Sequence, residues 1–183
     1  MFEDRNGRTY SFDVCSKCKL GCCQDVNPPL SLNRRKKLAE FVREKKIPLR
    51  DLFSYREYSY PSTDKDGFCE FYDKETRKCV VHPVKPETCC AGPITFDINL
   101  ERQRLEFYLK NFEVCAFAEL LYRDGDSLRV HLEAAKVEIL RLVNELDADN
   151  LQAVLRIPEP ETFKIDEIDL SQPVKTKLGI AKK

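Results

Sequence analysis

Residues 15 to 23 read Cys15-Ser16-Lys17-Cys18-Lys19-Leu20-Gly21-Cys22-Cys23 and contain four of the nine cysteines in the chain. The other five follow at Cys69, Cys79, Cys89, Cys90 and Cys115. The chain of 183 residues is therefore divided at Cys115 into a front part rich in thiols and a back part that has none. Thiols clustered at these spacings predict a metal site in the front part.

The composition is typical of a soluble globular protein, with 42% hydrophobic and 34% charged residues. The 31 basic and 31 acidic residues cancel, so no overall field favours nucleic acid or an anionic membrane as a partner. The N-terminus begins with charged residues rather than a signal peptide, and no apolar run approaches the ~20 residues of a membrane span. We therefore expect a cytoplasmic protein that binds no nucleic acid and no membrane, with room for a protein partner.

A reducing compartment changes the meaning of the cysteines, because clustered thiols in the cytosol are more often metal ligands or catalytic groups than disulfides. The count of nine is odd, so at least one thiol stays unpaired in any disulfide scheme. Disulfides remain the alternative for a chain from a thermophile. For Cys90 and Cys115 taken singly, the alternative is an inert thiol buried in a core.

The hydrophobic pattern predicts an α+β fold, with short β-hairpins in the cysteine-rich part and helices behind it. A helix should start at Ser31, because apolar residues three and four apart follow it on one face. The basic run at residues 34–37 is expected on the solvated side of this helix rather than as a nucleic-acid patch. Pro48 should end the helix and start a short second one over residues 49–53.

Two hairpins are predicted after this helix. The first joins strands over residues 68–72 and 78–82, after a turn at residues 64–67, and brings Cys69 close to Cys79. The second hairpin joins residues 94–98 to 105–109, where apolar residues alternate, and a helix over residues 100–109 is the alternative.

The back part is predicted to be helical, with an apolar run after Cys115 and a long helix capped by Asp126. The apolar residues of the long helix follow heptad spacing, which suits packing within the domain better than a coiled-coil dimer. They are Leu128, Leu132, Ala135, Ile139, Leu142 and Leu146. His131 lies beside this stripe and is expected to be a packing residue. Residues 1–157 should form one metal-binding domain with C-terminal helices, and residues 158–183 a loosely ordered polar tail.

Zinc and iron favour thiolate ligands because sulfur is soft, anionic and strongly donating. Cys15 and Cys18 form a Cys-x-x-Cys turn whose two sulfurs can reach one ion. Adjacent cysteines diverge by about 100° on a helical turn, so Cys22 and Cys23 could serve two neighbouring metals or two irons of one cluster. Thiol-only ligation suits zinc and an iron–sulfur cluster alike, and the surplus of thiols slightly favours the cluster.

The first cluster resembles the signature of the YkgJ-type CxxCxxCC cysteine-cluster family, whose domain is described as zinc- or iron-chelating. The second half of that signature is similar to residues 67–73, Gly-Phe-Cys-Glu-Phe-Tyr-Asp, and to the stretch from Cys79 through Lys85-Pro86-Glu87-Thr88-Cys89. The resemblance covers about residues 15 to 115. It implies as metal ligands Cys15, Cys18, Cys22, Cys23, Cys69, Cys79, Cys89 and, from its similarity to a later cysteine of many members, Cys115.

Three positions depart from the family pattern. Three residues rather than two separate Cys18 from the paired cysteines, which changes which sulfur can face which metal. Lys85 stands for the usual arginine. Cys90 stands where arginine is common, and is either an extra ligand or a replacement for that arginine.

Two functions from different classes fit this sequence. The first is a protein whose iron–sulfur cluster or zinc is structural or redox-active, acting as a binding or electron-carrying module. The second is a cluster-dependent enzyme, because the domain is also similar to the cysteine-rich part of flagellin lysine N-methylase. The sequence has no glycine-rich nucleotide loop, no methyl-donor motif and no nucleophile set, so the first function is favoured.

Overall fold

In this computed structural model the chain is described at residue 14 and over residues 22–49, 51–159 and 161–180. Its first described helix, α1, spans Leu32–Glu44, and the side chain of its N-cap, Ser31, accepts a hydrogen bond from the amide of Arg34. The predicted start at Ser31 is confirmed. The short second helix predicted over residues 49–53 is wrong: β1, Phe53–Tyr55, pairs with β2, Ser59–Pro61, because aromatic residues favour strands.

The basic run of α1 is only partly solvated. Arg34 is buried, and Arg35 is half-buried with its guanidinium 5.4 Å from the ring centre of Phe53. Lys36 and Lys37 are exposed, as the sequence predicted for the whole run. The first two positions therefore join α1 to the rest of the fold, and only the last two form a solvated face.

The cysteine-rich part continues in short elements. A hairpin joins β3, Tyr72–Asp73, to β4, Lys78–Cys79, and it is shorter than the predicted strands. A 3₁₀ turn at His82–Val84 leads into α2, Glu87–Ala91. These elements surround a front core, whose buried members are Leu30, Leu38, Val42, Phe71 and Val81.

A three-stranded antiparallel sheet follows, in the order β5-β6-β7. β5 spans Ile94–Asn99 and β6 spans Arg104–Lys110, so the second predicted hairpin is confirmed. Apolar residues of both strands point to the back core and pair across the strands, as Ile94 with Leu109 and Phe96 with Phe107. β7, Thr162–Asp169, pairs with β6 on the other side.

The helices of the back part cover this sheet. They are α3, Ala116–Arg123; α4, Gly125–Glu145; α5, Ala148–Leu155; and α6, Gln172–Lys177. Asp124 rather than Asp126 caps α4, accepting hydrogen bonds from the amide and hydroxyl of Ser127. None of the helices within the described ranges is long and apolar enough to span a membrane.

The buried stripe of α4 starts one residue earlier than the heptad pattern predicts. Ser127 and His131 are buried where Leu128 and Leu132 are only half-buried, whereas Ile139 and Leu142 are fully buried as predicted. The N-terminal half of α4 packs against α2, so its inner face there accommodates a polar contact to that helix. His131, expected to be a packing residue, lies within this stripe.

Loose order was expected for residues 158–183, and the structure contradicts this for β7 and α6. Phe163, Ile165 and Ile168 of β7 pack against the back core. The register shift opposite Phe107 and Tyr108 breaks the alternation along β7, which is why the sequence pattern missed a strand. In α6, Val174 is 1% exposed and belongs to the back core. Charged and polar residues surround it in the sequence, so the hydrophobic pattern did not predict its burial. Residues 181–183 lie outside the described residues.

Candidate metal centre

No disulfide joins the described cysteines, which are Cys22, Cys23, Cys69, Cys79, Cys89, Cys90 and Cys115. The remaining two expected ligands, Cys15 and Cys18, lie outside the described residues. Within the described ranges the expected donors are therefore present as thiols, the form from which a metal can displace a proton.

A short antiparallel contact joins the end of the first cluster to the start of the second half of the signature. The amide of Cys69 donates to the carbonyl of Cys23 at 2.8 Å, and the amide of Asp25 donates to the carbonyl of Gly67 at 2.9 Å. Gly67 has a φ of +81°, and a Cβ there would lie 2.2 Å from Oδ1 of Asp25. The positive φ favours glycine at this position, and the two backbone hydrogen bonds bring residues 22–23 beside Cys69.

The hairpin and α2 supply the next two thiols. Cys79 ends β4 opposite Tyr72 and packs against the front core together with Cys69. Cys89 lies in α2, after the turn that contains Pro83 and Pro86. The thiols of residues 22, 23, 69, 79 and 89 thus come from four separate segments of the chain.

The electrostatics of these thiols link them. A hydrogen bond from Cys23 lowers the pKa of Cys22 to about 6, and the ammonium groups of Lys110 and Lys85 act in the same direction. The same hydrogen bond raises the pKa of Cys23, as do burial and the electrostatic interactions with the cysteines at positions 22, 89 and 79. The sulfur of Cys22 is therefore the thiolate of this adjacent pair.

Burial dominates at the other thiols. It raises the pKa of Cys69 to about 11, and it raises the pKa of Cys79 and, by more, that of Cys89. The nearby charge of Lys85 opposes this rise at Cys79 and Cys89. These thiols are protonated at neutral pH without a metal, so binding must release protons and should weaken as pH falls.

The described residues do not by themselves complete a metal site: no group of three or more Cys, His, Asp or Glu side chains among them is placed to hold an ion. The type of donor nevertheless fits zinc or iron, because no disulfide joins the described cysteines and several of them interact electrostatically with one another. In a thiolate site, Lys85 and Lys110 would offset part of the negative charge.

A family model named CxxCxxCC, "Putative zinc- or iron-chelating domain", matches residues 14–116, more than half of the chain. The chain belongs to the CxxCxxCC family. The match runs from just before the first cluster to the first residue of α3, and it leaves α4 to α6 and β7 outside. The family supports a zinc- or iron-chelating function for this chain. No curated protein and no solved structure matches it.

Two cysteines of this CxxCxxCC chain make contacts of other kinds. The thiol of Cys90 donates to the carbonyl of Lys85 at 3.3 Å, and its electrostatic interaction with Cys79 raises the pKa of Cys79. Cys115 is the N-cap residue of α3 and packs against the back core. Ligation by Cys115 stays a prediction, as does the choice for Cys90 between ligand and replacement for arginine.

Sequence reasoning about this CxxCxxCC chain missed Lys85 and Lys110 as contributors to the site. Lys85 affects the pKa values of four cysteines, at positions 22, 79, 89 and 90. The sequence did contain a signal for Lys85, because Lys85 occupies the position where the family usually carries arginine. A positive charge is therefore retained at this position. Lys110 had no such signal, since only the fold brings the end of β6 near Cys22.

Proposed function

We propose that this chain holds zinc or an iron–sulfur cluster through thiolates alone and serves as a structural or redox module. The ligands are Cys15, Cys18, Cys22 and Cys23 from the first cluster and Cys69, Cys79 and Cys89 from the second half of the signature, with Cys115 as the eighth. The observation that carries this proposal is the backbone hydrogen bond of 2.8 Å from Cys69 to Cys23. It brings together two halves of the signature that are more than forty residues apart in the sequence.

The first cluster is essential to the proposed centre. The described thiols interact with one another, but no three donor side chains among the described residues are placed to hold one metal ion. The two sulfurs of the Cys-x-x-Cys motif at residues 15–18 would complete the set. The hydrogen bond from Cys23 lowers the pKa of Cys22, so Cys22 is the member of this pair that loses its proton first and is the readier ligand for a metal.

The metal would supply one of two chemistries at this site. Zinc would hold the segments together without redox change, whereas an iron–sulfur cluster would also accept and release an electron. The residues around the thiolates would have the same roles with zinc and with an iron–sulfur cluster. Cys89 is half-buried, and Lys85 would moderate the charge of the thiolates.

The metal content of the full chain, purified without oxygen, tests this proposal together with its visible absorption. We expect at least one equivalent of bound zinc or iron, and an absorption band in the visible range if iron and sulfide are present. Cys18→Ser and Cys89→Ser should each lower the metal content. Cys90→Ser is the matched control, one position from Cys89, and should retain the metal. A chain that binds neither metal after reconstitution, or that keeps full content in both ligand variants, would refute the proposal.

A further inference from the structure

The helix α2 has five residues, and it carries both Cys89 and Cys90. An isolated helix of this length is not stable in water, because nucleation fixes several residues for one hydrogen bond. Its N-cap residue, Pro86, makes no side-chain capping bond. The position of Cys89 therefore depends on the groups that hold the two ends of α2.

A buried carboxylate holds the first end. Glu87 is 0% exposed, and its Oε1 accepts a hydrogen bond of 2.6 Å from the hydroxyl of Ser31. Nε of Arg34 lies 3.6 Å from the same oxygen, and the guanidinium of Arg34 also pairs with Glu138 of α4. Arg141 donates to both carboxylate oxygens of Glu138, at 2.8 and 2.7 Å. A continuous chain of charge-assisted bonds thus runs from α2 through α1 to α4.

A histidine holds the second end. Nε2 of His131, on α4, lies 3.1 Å from the carbonyl oxygen of Ala91 and 3.1 Å from that of Gly92. His131 is 4% exposed. The first end of α2 is therefore attached to α1, and through Arg34 to α4, while the second end is attached to α4 directly. The two cysteines lie between these attachments.

Stability alone does not account for this arrangement. A buried ion pair must overcome the desolvation of both charges, and well-packed apolar residues often stabilise a protein as much or more. Moreover, Oε2 of Glu87 is buried and has no hydrogen-bond partner among the described residues. Apolar packing would not provide a directional contact. The bonds of Glu87 are directional, so they would fix the rotation of α2 about its axis and thereby the direction in which the side chain of Cys89 points.

We propose that Glu87 is a positioning residue of the metal centre, which, held by Ser31 and Arg34, orients α2 so that the sulfur of Cys89 faces the other thiols. This inference rests on the proposed function. Removal of residues that orient metal ligands typically lowers metal affinity about 10–100-fold. Glu87→Ala should fall in this range. Glu87→Gln should lose less, because its amide oxygen can still accept from Ser31 while the charge opposite Arg34 is gone.

Glu145→Gln is the matched control. Glu145 is a carboxylate of α4 that accepts from the amide of Asn33 at 3.4 Å and forms a hydrogen bond with Ser31. It therefore shares Ser31 with Glu87 and joins α1 to α4, but it makes no direct bond to α2, so the comparison isolates the direct contact of Glu87. The readouts are Zn²⁺ affinity in competition with a chromophoric chelator and the thiolate-to-metal charge-transfer absorption of the Co²⁺-substituted chain. Glu87→Ala should reduce both, and Glu145→Gln neither. Equal effects of the two variants would mean that Glu87 acts only on stability and would overturn the inference.

A double-mutant cycle identifies the thiol through which Glu87 acts. If it acts through Cys89, the loss of affinity from Glu87→Ala should disappear in a Cys89→Ser background and persist in a Cys90→Ser background. A loss that persists unchanged in the Cys89→Ser chain would contradict the inference.

Alkylation of the metal-free full chain provides a readout that needs no metal. Cys89 should react slowly with iodoacetamide in the unmodified chain and in Glu145→Gln, and several-fold faster in Glu87→Ala and Glu87→Gln, as measured by peptide mass spectrometry. A chain that binds no metal but shows this pattern would refute the proposed function and keep the hold of Glu87 on Cys89. Unchanged alkylation in both Glu87 variants would refute the inference even if the chain binds metal.

Discussion

Replacing Ile139 with alanine should lower the free energy of unfolding by about 3–4 kcal/mol. Ile139 is 0% exposed on α4 and belongs to the back core beneath the three-stranded sheet. The substitution removes three carbons, and at ~0.8 kcal/mol for each buried methylene the transfer contribution is about 2.4 kcal/mol. The cavity adds to this, because the sheet on one side and the neighbouring helices on the other leave little freedom for collapse.

Chemical denaturation followed by circular dichroism at 222 nm measures this loss directly. For a chain of this size, each kcal/mol lowers the melting temperature by roughly 2–4 °C, so a fall of roughly 6–16 °C should accompany it. Val137→Ala is the control, because Val137 is 56% exposed on the same helix. That variant should stay within about 0.5 kcal/mol of the original chain. Equal losses at the two positions, or a loss below about 1 kcal/mol at Ile139, would mean that the buried stripe of α4 is misassigned.

Two further predictions concern pH and metal removal. Hydrogen bonds from Lys164 and Tyr108 lower the pKa of Glu106 from its ordinary value of 4.5, so its contribution to stability is complete above pH 4.5 and is lost as pH falls through the lowered value. Glu106→Gln should therefore flatten the acid limb of stability against pH, whereas Glu133→Gln, at a side chain that is 65% exposed, should leave it unchanged. Metal removal should lower amide protection of residues 55–92 in hydrogen exchange while residues of α4 keep theirs, and equal protection of residues 55–92 in both states would show that the fold does not need the metal.

Local patterns in the sequence were sufficient for much of this fold. The alternation in β5 and β6 predicted their hairpin, and Ser31 marked the start of α1, because each feature depends on neighbours within a few residues. The short helix predicted after Pro48 failed for the opposite reason. The pairing of β1 with β2 is a contact between segments, and it overrides the local helix-start signal of proline.

The C-terminal strand shows a second limit of sequence reasoning. β7 mixes apolar residues with charges, and a shift of register interrupts its alternation, so its composition is typical of a tail. What orders it is the unpaired edge of β6, which no local pattern of residues 162–169 reveals. Lys177, three positions after Val174, then donates to the carbonyls of Val143 and Asn144 at 2.9 and 2.8 Å and fixes α6 at the end of α4.

The sequence predicted which residues could bind the metal, but not which neighbouring residues hold them in position. Spacing and resemblance identified the cysteines, because ligand type follows from the chemistry of the metal. The contact of Glu87 with Ser31 and Arg34 could not be predicted from the sequence, since Glu87 and Glu138 are distant in the sequence from residues 31 and 34. None of these residue types is specific to metal sites. A buried carboxylate beside a ligand is recognisable only when the fold shows what it contacts.

The attachment of α2 has a consequence for how the two parts of the chain depend on each other. The front core contains Leu38 and Val42 of α1, whereas Ala91 of α2 belongs to the back core, so the helix that carries Cys89 already packs with the back part. His131 strengthens this attachment of α2 to α4, and the bonds of Glu87 attach α2 to Ser31 and Arg34 at the start of α1. An ordered α4 therefore fixes α2 before any metal arrives, and it reduces the entropy that the metal must overcome at Cys89. The segments around residues 22–23 and 69 have no such attachment to α4 among the described contacts, so the ordering effect of the metal should be largest there.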